Sequence, residues 1–170
     1  GNVDQKAVEG TYQILTKMVN NEFKPGHILI FTSGNRRINA IMKALPEQRE
    51  KRLPDANISF IKNFDAYLND QAIFKDKLNE LIGLDEETLY ILPIKYAGFL
   101  PPEAKEIAKN PIPEHPNLIK IIVATNSIES SITIDGLAAV VDTGVHNQPH
   151  FDITRGLTTL VEGPISTQSQ

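Results

Sequence analysis

The segment from Ile121 to Gly136 constrains the fold of this chain more than any other. It reads IIVATNSIESSITIDG, an apolar run followed at once by hydroxyl, amide and carboxylate side chains. Such an apolar run is typical of a strand that is buried on both faces of a parallel sheet. Polar residues directly after the strand predict a ligand site, because open α/β sheets bind ligands beyond the carboxyl ends of their strands.

Further strands and helices alternate along the chain. Apolar runs predict strands over 27–31, 88–94, 118–124 and 138–142. Helical spacing of apolar residues predicts helices over 3–19, 36–45, 64–82 and 103–109. We expect the third helix to begin near Asn63 or Asp65. Strands that alternate with helices predict a mostly parallel sheet with helices on both faces.

The pattern changes after Gly144. Two short segments, 148–152 and 157–162, flank a turn that contains Arg155 and Gly156. This spacing predicts a β-hairpin over about 145–163, with Phe151 and Arg155 at or near its tip. A plain surface hairpin and a functional one fit the residues equally well.

Composition limits the classes of protein that fit. The 170 residues suffice for one domain, which we expect to cover 1–170, and the apolar and charged fractions of 41% and 22% are ordinary for a globular chain. A net charge of -4 argues against nucleic-acid binding by bulk charge alone but allows a local cationic groove. The absence of cysteine excludes disulfides and thiolate metal sites, and the four histidines lack metal-ligand spacing. We therefore expect no metal, no membrane span and an intracellular, monomeric protein.

The order of residues in the opening segment resembles motif V of the DEAH/DExH-box RNA helicases, which lies in their second RecA-like domain. The family pattern is a hydrophobic strand, then Ala-Thr-Asn, two variable residues, Glu-Thr-Ser, a hydrophobic residue, Thr, a hydrophobic residue and Asp-Gly. The chain differs at Ile128, where Ala is usual, and at Ser130, where Thr is usual. Eight positions match the family pattern in a fixed order, which is far less expected by chance than a match to a short motif. The matching residues are Ala124, Thr125, Asn126, Glu129, Ser131, Thr133, Asp135 and Gly136.

Two other segments resemble the same family. The stretch HILIFTSGNRRI resembles motif IV, whose polar turn touches the nucleic-acid backbone, and Ser33 and Gly34 take that place here. Arg37 stands where the family often has an acidic residue. The stretch PIKYAGFLPP resembles the segment near the RNA path before motif V, which makes Lys95 a candidate phosphate contact. By themselves, the turn fits an ordinary helix N-cap and Lys95 fits a solvated lysine.

The resemblance implies a fold and a function. The fold is a RecA-like three-layer α/β domain with a C-terminal β-hairpin, which in the family acts as a wedge at the RNA. The function is that of the second motor domain of an ATP-dependent RNA helicase, whose parent would use ATP with Mg²⁺ and pair this domain with its first RecA-like domain. The implied RNA contacts are Ser33, Gly34, Lys95, Thr125 and Asn126. The implied nucleotide contacts are Ser131, Thr133 and Asp135.

Several family features do not occur in these residues. There is no G-x-x-x-x-G-K-[ST], no Asp-Glu-x-His box and no motif VI with its paired arginines. We therefore expect no catalytic residue in this segment, no bound nucleotide and no ATP hydrolysis by the chain alone. The stretch 46–84 is longer than expected for cellular members, which is a sign of a divergent, viral enzyme. We expect an intracellular location, in the cytoplasm or nucleus, or in the virion or infected-cell compartment if the enzyme is viral.

Two alternatives remain at this stage. One is a non-catalytic module of helicase-like fold that docks RNA or protein. The other is a doubly wound domain that binds a small phosphorylated ligand at the loops after Thr32 and Thr125.

Overall fold

The computed structural model describes residues 2–83, 85–97, 100–125, 133–143, 152–153 and 159–162. The helices are α1 (Asn2–Val19), α2 (Gly34–Glu47), α3 (Arg49–Arg52), α4 (Gln71–Leu81) and α5 (Pro102–Lys109), with a 3-10 turn at Asp65–Tyr67. The strands are β1 (His27–Thr32), β2 (Ile58–Phe60), β3 (Leu89–Tyr96), β4 (Leu118–Thr125), β5 (Thr133–Ile134), β6 (Leu137–Asp142), β7 (Asp152–Ile153) and β8 (Thr159–Glu162).

The central sheet has six strands in the order β2-β3-β4-β1-β6-β8, and each neighbouring pair is parallel. β1 lies between β4 and β6, and all six of its residues are buried. A strand that is covered on both faces must be largely apolar on both faces, which explains the runs HILIFT and LIKIIVAT.

Alternation along the strands divides the core into two layers. Leu29, Phe31 and Ile122 face α4 and α5, on what we call the α5 face. Ile28 and Ile30 face α1 and α2 with their neighbours, on what we call the α2 face. The predicted three-layer, RecA-like α/β architecture is therefore confirmed.

The stretch 46–84 differs from its prediction, because the expected helix over 64–82 is broken. A 3-10 turn occupies Asp65–Tyr67, and α4 begins only after Asp70, whose carboxylate accepts hydrogen bonds from the N–H groups of Ala72 and Ile73 at 3.0 and 3.2 Å. Asp70 is thus the N-cap, where Asn63 or Asp65 was expected. β2 was not predicted, since three residues are too few to show alternation.

The C-terminal strands also differ from their prediction. β7 pairs in parallel with β5, and β8 pairs in parallel with β6 through Ala139 and Thr159. A hairpin would pair these two strands with each other in antiparallel fashion, so the hairpin prediction is wrong at these residues. The physical reason is that pairing with β6 satisfies backbone N–H and C=O groups of both strands, and the edge of the sheet moves to β8. The predicted tip residues, Phe151 and Arg155, lie outside the described residues.

Arg49 has a structural role that its sequence context does not suggest. With Lys51 and Arg52 it was expected on an exposed helical face, yet its side chain is only 19% exposed. Its guanidinium donates hydrogen bonds that join α3 to β2; the accepting carbonyls are those of Ala56 at 2.6 Å, Leu53 at 2.9 Å, Ile58 at 3.1 Å and Pro54 at 3.4 Å. The interpretation as a solvated charge is therefore wrong for Arg49.

We expect the substitution Arg49→Ala to lower the free energy of unfolding by about 2–3 kcal/mol, because it leaves several carbonyls without their charged donor. Lys51→Ala is the matched control, since Lys51 is exposed on the same short helix and should change the stability by less than about 0.5 kcal/mol. Urea denaturation of both variants measures the difference, and equal losses would contradict the role of Arg49.

Candidate nucleic-acid interface

The carboxyl ends of β1 and β4 lie side by side. Their register pairs Phe31 with Ala124 and Thr32 with Thr125. Because the strands are parallel, the turn after β1 and the segment after β4 leave the sheet at the same edge. The turn that resembles motif IV and the segment that resembles motif V therefore leave the sheet side by side.

Four polar side chains mark this edge on the α2 face, and we call them the polar row. Thr32 and Thr125 continue the alternation of Ile30 and Val123, both of which belong to that face. The row consists, in the order β3, β4, β1 and β6, of Lys95, Thr125, Thr32 and Thr143.

Neighbouring hydrogen bonds fix both ends of the polar row. The Lys95 Nζ donates to Asn39 Oδ1 of α2 at 3.5 Å, so this side chain reaches the helix that covers the α2 face. The Thr143 N–H donates to the Phe31 carbonyl at 3.2 Å, so the ladder between β1 and β6 extends one residue beyond β6. Polar groups from four neighbouring strands thus meet at one edge.

Two hydroxyls of the polar row are buried and have no hydrogen-bond partner among the described residues. The Thr32 and Thr143 side chains are fully buried, and neither Oγ1 has a hydrogen-bond partner within the described part of the chain. Nearly all buried polar atoms in proteins are hydrogen-bonded, because an unpaired one costs about 1–3 kcal/mol. A buried, unpaired hydroxyl at the end of a strand is typical of a binding site in which a polar ligand supplies the missing hydrogen-bond partner.

The start of α2 is suited to an anion. Ser33 is the N-cap but makes no side-chain cap hydrogen bond, and Gly34 follows with φ +77°, a conformation that favours glycine. The first turn contains Arg36 and Arg37 and no acidic residue. The positive end of the helix dipole lies at this turn. A cation in the first turn therefore destabilises the helix by about 0.3–1 kcal/mol unless an anion is close.

The predicted nucleotide contacts lie elsewhere in the molecule. The Asp135 N–H donates to the Lys109 carbonyl at the end of α5, and the next residue, Gly136, accepts from the N–H of His27 at the start of β1, both at 2.9 Å. At about 3.3 Å per residue, the length of β1 puts roughly 16 Å between this corner and Thr32. Thr133 is exposed and Asp135 is half-buried. The structure does not bring these residues together with the polar row, and their role stays a prediction.

A buried charged cluster supports the corner near Asp135. Lys120 is fully buried, and its Nζ donates to the carbonyls of Ile107 and Asn110 at the end of α5. Burial lowers the pKa of Lys120 to about 7, although the Asp135 charge acts in the opposite direction. Sequence reasoning missed this residue; the signal was a single lysine inside an apolar strand.

His27 belongs to the same cluster. Its Nδ1 accepts a hydrogen bond from the Lys120 backbone N–H at 3.0 Å, which requires a ring nitrogen without a proton. Burial, together with the charge of Lys120, lowers the pKa of His27 to about 3. The imidazole is therefore a neutral, structural acceptor at neutral pH.

Some predicted site residues cannot be placed. Asn126 and Ser131 lie outside the described residues. In the described ranges, no group of three or more acidic or histidine side chains could hold a metal ion. Nor is any helix in those ranges long and apolar enough to span a bilayer.

The pH dependence of stability tests the role of His27. The unfolded chain takes up a proton near pH 6.5 and the folded chain only near pH 3, so the free energy of unfolding should fall as pH drops through this window. The expected loss is about 2 kcal/mol at pH 5. His27→Asn keeps an acceptor and removes the titration, so it should flatten this dependence. His115→Asn, at a half-buried histidine whose Nε2 lies 2.7 Å from the Asn79 Oδ1, is the control, and equal slopes in both variants would contradict the assignment.

Comparison with known proteins finds a similarity that extends over most of the chain. No family model matches the chain. The chain is 33% identical over 142 residues to the pre-mRNA-splicing factor ATP-dependent RNA helicase prp22 of Schizosaccharomyces pombe. The alignment covers 84% of this chain but 9% of that relative, so the chain corresponds to a small part of it. This similarity supports a helicase-related domain.

Proposed function

We propose that the chain is the second RecA-like motor domain of a DEAH/DExH-type RNA helicase and that it holds the RNA backbone at the ends of β1 and β4. The observation that carries the proposal is the register of Thr32 with Thr125, because it joins the motif IV and motif V segments at one edge. The similarity to an ATP-dependent RNA helicase supports the same reading.

The groups at this edge are suited to phosphate oxygens. The uncapped start of α2 offers backbone N–H groups at Ser33 and Gly34, and the half-buried Thr125 offers a hydroxyl. Lys95 adds a cation, and Asn126 follows directly in the chain. Contacts of this kind fix the path of the backbone without reading bases, as a motor that moves along any sequence requires.

Nucleotide contacts form the second half of the proposal. An exposed hydroxyl at Thr133 and a half-buried carboxylate at Asp135 fit the hydroxyls of a ribose, and Ser131 would add a further hydroxyl. ATP with Mg²⁺, when bound between this domain and the first RecA-like domain, would supply the phosphoryl chemistry. Because one hydrogen-bonded sheet joins the Asp135 corner to the polar row, movement at the nucleotide would carry the RNA contacts with it.

A viral source is a further part of the proposal. It depends on the length of the stretch 46–84, which contains α3, β2 and α4 in addition to a 3-10 turn. A cellular parent would leave the proposed contacts unchanged.

We expect the chain to bind single-stranded RNA weakly and in a salt-dependent manner, and Thr125→Val to weaken this binding about 5- to 10-fold by removing one hydrogen-bond donor. Thr16→Val is the matched control, because Thr16 is also half-buried but lies on α1, where its hydroxyl donates to the Tyr12 carbonyl. Fluorescence anisotropy with a labelled RNA measures both. Equal affinities of the two variants would argue against the role of Thr125, and mononucleotides that bind more tightly than RNA would favour a small-ligand domain.

In the full-length parent helicase, we expect Thr125→Ala to impair RNA unwinding more than basal ATP hydrolysis, since Thr125 lies at the RNA edge and away from Asp135. Unwinding of a labelled duplex and phosphate release, measured on the same preparation, separate the two effects. A proportional loss of unwinding and ATP hydrolysis would contradict the proposed contact of Thr125 with RNA.

A further inference from the structure

We infer that a groove at the amino edge of the sheet binds a short basic segment of a partner protein, one that also carries apolar side chains. This amino-edge groove lies in loops to which neither the motif resemblance nor the similarity to prp22 assigns a role. Its volume is about 1150 Å³. Pockets for small ligands have roughly 300–1,000 Å³, so the groove is large enough for several side chains of a peptide.

The amino-edge groove is built by loops that lead into neighbouring strands. The segments before β1, β2, β3 and β4 all line it, together with the carboxyl ends of α1 and α4. Because these strands are parallel, the four loops lie at one edge, opposite the polar row. At about 3.3 Å per residue, the length of β4 puts roughly 25 Å between the groove and Thr125. A partner bound in the groove would therefore leave the proposed RNA edge free.

Negative charge is concentrated in the amino-edge groove. The described residues that line it include five carboxylates and a single guanidinium, that of Arg52, which gives the lining the same net charge as the whole chain, -4. Arg52 is engaged outside the groove, since its Nε donates to the Gln48 Oε1 at 2.5 Å and its Nη2 lies 3.9 Å from the Glu9 Oε2. The five carboxylates are those of Asp55, Asp85, Glu86, Glu87 and Glu114.

Most of these carboxylates are available to a partner. Asp55, Glu86 and Glu87 are exposed, and none of the three forms an ion pair with another described residue. Asp85 accepts hydrogen bonds from the Thr88 hydroxyl at 2.6 Å and from the Glu87 N–H at 2.7 Å, and these bonds lower the pKa of its carboxyl. An anionic surface of this kind attracts lysine and arginine side chains and repels the phosphates of RNA.

Apolar side chains accompany the carboxylates. Val19, Leu53 and Ala56 are half-buried, so each packs against the core of the α2 face and also lines the groove. A bare metal ion would make no use of this apolar surface, and in the described ranges no group of acidic or histidine side chains could hold one. An apolar floor with a charged rim is instead typical of a protein interface.

Hydrogen bonds between side chains and loops hold the walls of the groove together. The Asn117 Nδ2 donates to the Thr88 carbonyl at 2.8 Å, which joins the loops before β3 and β4. The His115 Nε2 lies 2.7 Å from the Asn79 Oδ1, which joins the loop before β4 to the end of α4. A groove whose walls are already joined loses little conformational entropy when a ligand fills it, and this favours the binding of a flexible segment.

Fluorescence anisotropy of labelled peptides tests the inference on the 170-residue chain. The probe is a short peptide in which arginine and leucine alternate. One comparison peptide has glutamate in place of arginine, and the other has serine in place of leucine. The arginine–leucine peptide should bind at low salt and the glutamate peptide should not, while the serine peptide should bind about 5-fold more weakly because it buries less apolar surface.

Substitutions locate the bound peptide. Glu86→Gln together with Glu87→Gln removes two free carboxylates of the groove and should weaken binding of the arginine–leucine peptide about 5- to 10-fold. The matched control is Asp76→Asn together with Glu103→Gln, which removes two exposed carboxylates of α4 and α5 that do not line the groove. The control should change the affinity by less than about 2-fold, and urea denaturation of both double variants checks that they fold.

The outcomes separate the possible occupants. An arginine–leucine peptide that fails to bind at low salt would overturn the inference, and so would equal weakening by the two double variants, which would show attraction by net charge alone. Self-association of the chain that is lost in the Glu86→Gln and Glu87→Gln variant, measured by sedimentation, would show that a second copy fills the groove instead. A chain that binds the peptide but no RNA would overturn the proposed function and support the groove.

Discussion

The parallel pairing of β1 with β4 is the interaction on which the rest of the structure depends. β1 lies inside the sheet, its residues are buried on both faces, and its hydrogen bonds to β4 and β6 fix where both neighbours end. A shift of one residue would move every side chain to the opposite layer, so close packing against the helices on each face holds this register. The position of Thr125 beside Thr32 follows directly from it.

The register also separates two polar regions that lie close together in the sequence. Thr125 and Asp135 are ten residues apart in the chain, yet one lies beside the end of β1 and the other beside its start, near His27. The first region presents hydroxyls and cations at an edge, which suits a phosphate chain. The second is supported from beneath by the buried Lys120, which holds the end of α5 close to it. One hydrogen-bonded sheet therefore joins two different polar regions.

Much of the fold could be predicted because its strands are long and continuously apolar. β1, β4 and β6 begin and end within one residue of the predicted positions, and β3 within two. Predictions failed where local pattern is weak or misleading. β2 is too short to show alternation. The sequence around Arg49 is typical of a surface charge, whereas in the structure its guanidinium donates to backbone carbonyls. β7 and β8 were assigned to a hairpin because neighbouring segments usually pair, but each pairs with another strand.

The sequence by itself determined which apolar runs must be buried, the alternation of strands and helices, and the polar segments that follow β1 and β4. These features depend on periodicity and on residue chemistry, which are local. Only the tertiary structure decided that Thr32 and Thr143 are buried without a described partner, that carboxylates of separate loops line one groove, and that Asp135 lies at the far end of β1. Burial and pairing of this kind arise between residues that are distant in the chain, so no local pattern encodes them.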